Sequence, residues 1–411
     1  MKRFQQIIFV LAIVFFASQN LLAQQTPRVF LLDGQKLKET RQKIKKGDKS
    51  FDAALSKIVS DAEKALRGGN FSVVNKAVVP PSGDKHDYMS QAPYFWKNPK
   101  TPDGLPYVRR DGERNPEINK IIDHQSQDKM ISAVETLALA YYFKGDEKYA
   151  AKAVELLRVW FLDAATKMNP NLEFGQGIPG ITTGRGIGLI ETVGLTRVVD
   201  AIGLLEDSKS LTETDKKGLR DWFAKFLGWM QESKNGRDEA AAENNHGTHY
   251  DIQIASFALF LSKKDLAKSV LETAKQKRIA KQIEPDGRQP LELARTKAWS
   301  YSVMNLKGLM MLARLGENVG VDLWNYKSTD GRSIRAAIDF LYPFSTGEKW
   351  TYQQLGEWQP NILFPFLRRA STKYTDEKFK AMIARIPAAE PTDREVLIYT
   401  ETGKMNQSAA R

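Results

Sequence analysis

The stretch AENNHGTHY, Ala242 to Tyr250, contains two of the four histidines of this 411-residue chain, directly after a pair of asparagines. Asparagine is a favoured N-cap, so Asn244 or Asn245 is predicted to begin a helix with an apolar body. The first turn of a helix presents free N–H groups and the positive end of the helix dipole, which attract a carboxylate. Asn245 and His246 could therefore bind an acidic substrate. Simple capping with an internally bonded histidine is the alternative interpretation.

The same stretch has the residue types of a metal site. Glu243, His246 and His249 supply a carboxylate and two imidazoles within seven residues, and such groups can bind zinc. The helical zinc motif, however, places its two histidines four apart with a glutamate between them, whereas here the spacing is three and the glutamate lies outside. The sequence therefore predicts neither a metal nor another cofactor.

A second group of reactive side chains occurs in PLELARTKAWSYSVMNL, Pro290 to Leu306. Arg295, Lys297 and Tyr301 lie close together at the entry of another predicted helix. Residues six apart on one ideal helix point about 120° away from each other, so Arg295 must either precede the helix or reach around it. A plain Glu292–Arg295 pair and a core position for Tyr301 are the alternative interpretation.

Two further stretches combine cations, aromatic rings and glycines. SGDKHDYMSQAPYFW, Ser82 to Trp96, is a polar loop rich in tyrosine and tryptophan, and MNPNLEFGQGIPGITTGRGIGLIET, Met168 to Thr192, is a glycine-rich turn that leads to Arg185. The glycines do not follow a predicted strand, so a dinucleotide-binding turn is not indicated. Cations bind carboxylates and flat rings can stack on sugars, so both loops favour an acidic carbohydrate.

Helices must position these residues, because apolar residues recur at three- and four-residue spacing and period-two alternation is almost absent. The chain is therefore predicted to be all-α. The predicted helices cover residues 125–143, 147–165, 186–206, 212–233, 247–262, 266–283, 298–315, 334–342, 361–370 and 376–386. Short turns between successive helices favour helical hairpins in a ring or solenoid. Three long connections, at 71–118, 168–184 and 342–359, are predicted to be functional loops.

The ends and composition of the chain restrict its environment. Lys2 and Arg3 precede an apolar run, so residues 1–23 are predicted to be a secretory signal peptide, followed by one domain over 24–400 and a flexible tail over 401–411. We expect an exported protein, periplasmic or secreted, with no stable membrane insertion after signal removal, because the run is too short to span a bilayer. The net charge of +12 favours an acidic polysaccharide over nucleic acid as partner.

In their order along the chain, four motifs resemble the alginate lyase superfamily of polysaccharide lyases, families five and thirty-eight, and family thirty-eight most closely. The motifs are GDKHDYMS with PYFW, MNPNLEFGQG with a later PG and GR, ENNHG, and QPLELAR before a tyrosine. The resemblance runs from about Val79 to Phe366. It implies an incomplete (α/α) toroid or barrel of paired antiparallel helices with a substrate cleft, in agreement with the independent helical pattern. The implied reaction is β-elimination in a chain of uronic acids, with alginate as the expected substrate.

The resemblance also implies roles for four residues. Elimination removes the C5 proton beside the carboxylate, so the charge that develops must be held by fixed donors. Asn245 and Arg295 match the neutralising residues, and His246 matches a base or neutraliser. Tyr301 matches the acid, and it is also the base where C5–H lies on the same side as O4. A tyrosine base needs a pKa below its free value of about 10, and Arg295 or Lys297 is expected to lower it.

Residue type and resemblance together predict the residues that bind the sugar chain. They are Lys85, His86, Tyr88, Tyr94, Trp96, His124, Gln125, Gln176, Arg185, Tyr250 and Trp358. By contrast, Trp160, Trp222 and Trp229 lie within amphipathic helices and are predicted to belong to the core.

Three alternatives remain open on the sequence alone. One is a glucuronan lyase of the same mechanism. Another is an inverting glycoside hydrolase on a helical toroid that uses two of the carboxylates Glu243, Asp251 and Glu292. The third is a glycan-binding protein without catalysis, which would not need Asn245, His246 and Tyr301.

Overall fold

The computed structural model describes residues 26–399, and helices dominate this part of the chain. The helices are α1 Gly34–Lys45, α2 Asp52–Leu66, α3 Asp123–Lys144, α4 Glu147–Leu157, α5 Leu195–Leu204, α6 Glu213–Glu232, α7 Lys234–Ala241, α8 Asn245–Phe260, α9 Lys264–Ala274, α10 Pro290–Leu293, α11 Ala298–Glu317, α12 Ile334–Ser345, α13 Phe364–Ala370, α14 Glu377–Ala384 and α15 Glu395–Ile398. None of these helices is both long enough and apolar enough to cross a bilayer. The expected signal peptide at 1–23 and tail at 401–411 lie outside the described residues.

The turn between α3 and α4 shows how the helical hairpins form. Gly145 ends α3 with φ of 74°, the left-handed conformation that glycine adopts without strain. The side chain of Asp146 then accepts the N–H of Lys148 and caps α4. The two helices pack against each other.

Four of the helices, α3, α5, α8 and α11, pack side by side in that order. Helices α4, α9 and α12 each follow one of them along the chain and return against it, on α3, α8 and α11 respectively. Three of the four helices therefore form helical hairpins with the helix that follows them. This confirms the predicted all-α fold, an incomplete toroid of paired antiparallel helices.

Helix α8 is the central helix of the domain. Every residue of α8 except His246 is buried, which is typical of a helix that is surrounded by other elements on all sides. The Asn244 side chain accepts the N–H of His246 at 3.2 Å and is therefore the N-cap. The N-terminus of this buried helix thus brings His246 to the end of the toroid where the long loops lie.

Some elements do not follow from the sequence pattern. Helices α1, α2, α7, α10 and α15 are not predicted, nor are the strands β1 Met89–Gln91, β2 Phe95–Trp96, β3 Val108–Arg109 and β4 Phe174–Gly177. Strand β1 pairs in parallel with β4, and β2 pairs antiparallel with β3. These strands are too short to show alternation. The predicted helices at 147–165 and 266–283 continue as π-helical turns at Arg158–Leu162 and Lys275–Ala280. The predicted helix at 186–206 begins as the 3₁₀ turn Gly186–Thr192, which precedes α5.

A buried ion pair anchors the long connection 71–118 to the helices. Lys76 Nζ lies 2.9 Å from Asp123 Oδ2 at the start of α3, and both side chains are fully buried. Lys76 also donates to the carbonyl of Lys85, and Asp123 accepts the N–H of Met89. Burial lowers the pKa of Lys76 and raises the pKa of Asp123 to about 6. Loss of either partner would leave a buried group unpaired, so this pair holds the loop against the toroid.

Candidate active site

His246, in the first turn of α8, is paired with a buried carboxylate. Its Nδ1 lies 2.7 Å from Oε1 of Glu239 near the end of α7, and Glu239 is 1% exposed. A carboxylate only accepts hydrogen bonds, so Nδ1 donates to Glu239, and in the neutral imidazole this tautomer leaves the lone pair of Nε2 free. The arrangement makes His246 a candidate general base.

Asn245, beside His246, is fully buried and its amide is already engaged. Its N–H donates to Glu292 Oε1 and its Nδ2 donates to Glu292 Oε2, both at 2.7 Å. Its Oδ1 is buried and has no hydrogen-bond partner among the described residues. The expected direct contact between Asn245 and a substrate carboxylate is therefore not available in this arrangement. Here Asn245 fixes Glu292 against the start of α8.

Arg278 holds the connection between α7 and α8 in place. Its fully buried guanidinium donates to the carbonyl of Ala242 at 2.6 Å and to the Asp251 carboxylate at 2.7 Å. Helix α7 carries Glu239 and α8 carries His246, so this contact helps to set the distance between the two side chains. Asp251 is one of the carboxylates that an inverting glycoside hydrolase could use, but here it forms a structural ion pair with Arg278.

We expect Gly247→Ala to disturb this arrangement. A methyl group at Gly247 would lie 2.1 Å from the Ala242 carbonyl oxygen and 2.2 Å from the Arg278 guanidinium. Because both neighbours are fixed, the variant should lose about 1–3 kcal/mol of unfolding free energy, and turnover should fall as α8 moves relative to α7. Gly228→Ala in α6 is the matched control, since nothing lies within 4 Å of its new methyl group, and it should gain about 0.4–1 kcal/mol. Thermal unfolding measures both, and equal stability of the two variants would contradict the prediction.

Tyr301 lies in the first turn of α11, and Arg295 lies in the turn before that helix. The Arg295 guanidinium carbon is 3.8 Å from the centre of the Tyr301 ring. Asp111 holds Arg295 there through contacts of 2.8 and 3.1 Å, and the Tyr301 hydroxyl lies 2.9 Å from the Tyr94 hydroxyl. Asp111 and Tyr94 both belong to connection 71–118, so this loop completes the site.

The charge of the Arg295–Asp111 pair is fixed. Burial opposes ionisation of Asp111, but hydrogen bonds from Arg295 and Thr296 outweigh burial and hold the pKa of Asp111 well below its usual value. Burial likewise opposes the charge on Arg295, and the contacts with Asp111 and Tyr301 outweigh it, so the pKa of Arg295 is raised. The guanidinium is therefore a permanent cation on the face of the Tyr301 ring.

The structure contradicts the expectation that neighbouring cations lower the pKa of Tyr301. Burial, followed by the hydrogen bond with Tyr94, raises that pKa well above its usual value, although Arg295 acts in the opposite direction. Nearby positive charges alone would lower this pKa, but burial of the phenol has the larger effect. In the free protein Tyr301 is thus a neutral phenol, the state that can donate a proton.

Glu292 connects the two groups of side chains. It lies in α10, three residues before Arg295 in the sequence, and accepts both hydrogen bonds from Asn245. Burial raises the pKa of Glu292, while the Asn245 hydrogen bonds and the charges of Arg295 and His246 act against this shift. Helices α8 and α11 pack together, and Glu292 lies within electrostatic reach of both His246 and Arg295.

Arg185 forms a second cationic position in the loops. Its Nη2 donates to Gln176 Oε1 at 2.8 Å, and its guanidinium carbon lies 5.2 Å from the Phe95 ring centre. Gln176 has the left-handed φ of 52°, and its N–H donates to Ser90 Oγ. Burial, and then repulsion from Arg109, lowers the pKa of Arg185. A partly desolvated guanidinium of this kind is suited to bind a carboxylate.

Two predicted sugar-binding residues are core residues instead. Tyr88 is fully buried, and its hydroxyl donates to Glu191 at 2.8 Å. Tyr250 is 7% exposed, and its hydroxyl donates to the Met230 carbonyl. Burial raises the pKa of both phenols. Neither ring has a face open to a sugar, because each is packed in the main hydrophobic core.

Other predicted binding residues line the loops without a direct contact to Tyr301 or His246. Trp96 donates to the Glu113 carbonyl, and the Arg110 guanidinium carbon lies 5.2 Å from the centre of its ring. Trp358 stacks on Trp350 with ring centres 5.7 Å apart. The remaining members of this set make local contacts: Lys85 is exposed, His86 Nδ1 contacts the Lys167 carbonyl, His124 faces Asp128 at 3.6 Å, and Gln125 donates to Asn119. Their roles stay predictions. The predicted core position is confirmed for Trp160 and Trp222, and Trp229 packs partly buried against the core.

The described part of the chain contains no cluster of three histidines or carboxylates that could hold a metal ion. Glu243 is exposed and faces Lys281 at 3.6 Å, whereas His249 is buried with Nδ1 on the Asn245 carbonyl at 2.7 Å. Burial lowers the pKa of His249 to about 4, so it is neutral. These residues therefore do not converge on one point.

Two residues of the site could not be found by sequence reasoning, namely Glu239 and Asp111. Glu239 precedes His246 by seven positions, and only the break between α7 and α8 turns it back toward the imidazole. Asp111 lies 184 positions from Arg295 in an irregular loop. The only signal for Glu239 is an acidic residue just before the ENNHG motif.

The chain is similar to known proteins over most of its length. A family model described as alginate lyase matches residues 72–351. The crystal structure of an alginate lyase from Bacteroides ovatus is 43% identical, with a TM-score of 0.87 over 91% of this chain and 99% of that one. No curated protein sequence matches the chain.

Two more distant structures are similar in fold alone. Alginate lyase A1-III from Sphingomonas species A1 is 16% identical, with a TM-score of 0.59 over 92% of this chain and 97% of that one. A histidine-to-alanine variant of alginate lyase A1-III complexed with a tetrasaccharide has a TM-score of 0.61 at 16% identity, over 92% of this chain and 98% of that one.

Proposed function

The chain belongs to the alginate lyase family, and from this premise we propose that it cleaves alginate by β-elimination. The observation that supports this most directly is the neutral Tyr301 phenol under a fixed Arg295 guanidinium, together with the Glu239–His246 pair on the neighbouring helix α8. These groups supply an acid, a cation and a base without water as a reactant. The product would carry a 4,5-unsaturated uronate at its new end.

In the proposed reaction a base removes the C5 proton, and the electron pair of that C–H bond forms the C4–C5 double bond. The C4–O4 bond breaks, and O4 takes a proton as it leaves. Tyr301 donates this proton, since burial keeps its hydroxyl protonated. A positioned general acid of this kind contributes about 100- to 10,000-fold in rate.

The base depends on the stereochemistry of the uronate. Where C5–H lies opposite O4, His246 takes the proton on Nε2, and Glu239 stabilises the imidazolium through Nδ1. Where C5–H lies on the same side as O4, Tyr301 must first lose its own proton to act as base. Arg295 on its ring favours that phenolate, whereas burial opposes it.

The substrate carboxylate must be neutralised while C5 loses its proton. We propose that Arg295 does so from above the Tyr301 ring. Asn245 joins only if its amide turns away from Glu292. Before the turn, Asn245 Oδ1 has no hydrogen-bond partner among the described residues. Burial raises the pKa of Glu292, and a protonated Glu292 carboxyl can donate to Oδ1 once the amide has turned.

The carboxylates that an inverting hydrolase would use are engaged elsewhere. Asp251 pairs with Arg278 and Glu292 with Asn245, and the exposed Glu243 faces Lys281. Hydrolysis by inversion needs one carboxylic acid and one carboxylate about 6.5–9.5 Å apart across a water molecule. None of these three is free for that purpose, so the site supports elimination.

Incubation with separate polymannuronate, polyguluronate and glucuronan tests the proposal. We expect ultraviolet absorbance of the conjugated double bond to grow on an alginate block as the chain shortens. An increase in absorbance on glucuronan alone would mean that glucuronan is the substrate and that the reaction is still an elimination. New reducing ends without absorbance would indicate hydrolysis, and binding without shortening would indicate a glycan-binding protein; either result contradicts the proposal.

We expect Arg185→Ala to weaken substrate binding more than turnover. The guanidinium is held by Gln176 and Phe95, and its Nε has no acceptor among the described residues, so it can bind a neighbouring uronate carboxylate. KM should rise by about tenfold or more while kcat changes little, as for loss of a charged hydrogen bond. Lys85→Ala on the exposed loop is the parallel test. A fall in kcat at constant KM would instead place Arg185 at the reacting centre.

The basic composition and the predicted signal peptide fit an enzyme that meets a polyanion outside the cytoplasm. We propose export to the periplasm or the medium. Fractionation of cells that express the full chain, with N-terminal sequencing of the product, tests this and the predicted cleavage after residue 23.

A further inference from the structure

A cavity of about 580 Å³ lies inside the toroid, away from the residues described above. Helices α3, α5, α11 and α13 line it together with the segment before α1. On α11 the lining begins at Lys307 and ends at Arg314, which places it about 9–20 Å along the helix axis from Tyr301. Neither Tyr301, Arg295 nor His246 contributes to its wall.

The cavity contains a cation without a counter-ion. Lys307 is exposed there, and its ammonium has no hydrogen-bond or ion-pair partner among the described residues. Two neighbouring cations of the wall are paired, Arg314 with Glu317 and Arg369 with Glu395 at 3.6 Å. An unpaired ammonium in a concave space is suited to bind an anion.

The acidic groups of the wall are engaged by other partners. Glu135 pairs with Arg197 and Arg394, and Asp200 accepts three backbone N–H groups from Phe30, Leu31 and Leu32. Neither forms an ion pair with Lys307. Burial, and then the positive charges of Arg369 and Arg197, lowers the pKa of Lys307, although Glu135 acts in the opposite direction. Lys307 therefore places a positive charge without a counter-ion in this space.

We propose that this cavity binds a small anion bearing a carboxylate or phosphate group, held by Lys307 together with Arg369. Its volume lies within the range of about 300–1,000 Å³ that small-molecule sites occupy. Arg369 is oriented for this by its stacking on Tyr399, with the guanidinium carbon 3.9 Å from the ring centre, and the Phe366 ring lies 5.8 Å from the Lys307 ammonium. These rings provide an apolar flank for the carbon skeleton of a sugar acid. The site is independent of the catalytic proposal.

Calorimetric titration and thermal unfolding of the full chain test the site with three probes: inorganic phosphate, D-glucuronate and, as the neutral control, glucose at the same ionic strength. We expect phosphate or glucuronate to bind and to raise Tm with increasing concentration, and glucose to do neither. The probe that binds more tightly identifies the anionic group.

Variants separate this cavity from the catalytic cleft. Lys307→Met keeps the length of the side chain and should weaken anion binding by about tenfold or more. It should also raise the Tm of the free protein, because an unpaired cation is removed. Lys217→Met on the exposed face of α6 removes the same charge elsewhere and should change neither. Tyr301→Phe should leave binding intact.

Three results would overturn the proposal. They are the failure of both anions to bind, equal affinity in Lys307→Met and wild type, and loss of binding in Tyr301→Phe alone. The last result would place the anion in the cleft.

Discussion

Replacing Tyr301 with phenylalanine is expected to abolish formation of the unsaturated product, with a fall in kcat of about 1,000-fold or more. The hydroxyl is the only group of Tyr301 that the substitution removes, and the ring that stacks on Arg295 stays. Loss of a general acid removes about 100- to 10,000-fold. The leaving O4 would then depart as an alkoxide, which is a far poorer leaving group. The rate of absorbance increase on each polymer is the measurement.

Tyr94→Phe is the matched control for this experiment. It removes the hydroxyl on the other side of the 2.9 Å contact and leaves the acid in place. We expect a small effect on kcat and unchanged Tm for both variants. Wild-type turnover in Tyr301→Phe, or an equal loss in both variants, would remove Tyr301 from its proposed role.

The pH profile distinguishes the two possible bases. The pKa of Tyr301 is raised, so its phenolate is scarce at neutral pH and its fraction increases as pH rises. If Tyr301 removes the C5 proton, kcat should continue to rise into the alkaline range. If His246 is the base, kcat should instead fall in the alkaline range, where Tyr301 ionises and can no longer act as the acid. Separate profiles on polymannuronate and polyguluronate show which route each substrate follows.

The helical part of the fold follows from local pattern. Thr212 and Asp215 are three positions apart and form a capping box at the start of α6, and Asn244 caps α8 as one of the two predicted candidates. These features depend on residues a few positions apart, so local spacing is enough to find them. The order of the four motifs identifies the family for the same reason, since each motif is a local segment.

Contacts between distant segments could not be predicted in this way. Asp111 holds Arg295 across a loop with no periodicity. The residue type of Tyr88 and Tyr250 predicts sugar binding, but residue type does not show which aromatic rings face the core. The pKa of Tyr301 is raised because the phenol is buried, and burial of a side chain is a property of the folded chain that its sequence neighbours do not show.

The second large effect is expected for Glu239→Gln, through the imidazole of His246. The glutamate oxygen accepts a hydrogen bond from Nδ1 at 2.7 Å, which in the neutral imidazole selects the tautomer with a free lone pair on Nε2. A glutamine can instead donate its amide N–H to Nδ1, which moves the proton to Nε2 and removes the lone pair that a base needs. Where His246 is the base, kcat should fall by about 100-fold or more with KM little changed, because Glu239 is buried and does not meet the substrate. Glu232→Gln at the end of α6 is the surface control.

A purely structural role for Glu239 would give the same loss of activity through misfolding, so a spectroscopic measurement is needed as well. The chain has four histidines, and ¹⁵N-labelled histidine gives a spectrum simple enough to assign by single variants. In wild type the His246 signals should report a proton on Nδ1, and in Glu239→Gln they should report a proton on Nε2. The His249 signals should stay constant, because its Nδ1 is bound to the Asn245 carbonyl. An unchanged His246 spectrum together with a large loss of activity would mean that Glu239 acts on the reaction by a route other than the imidazole.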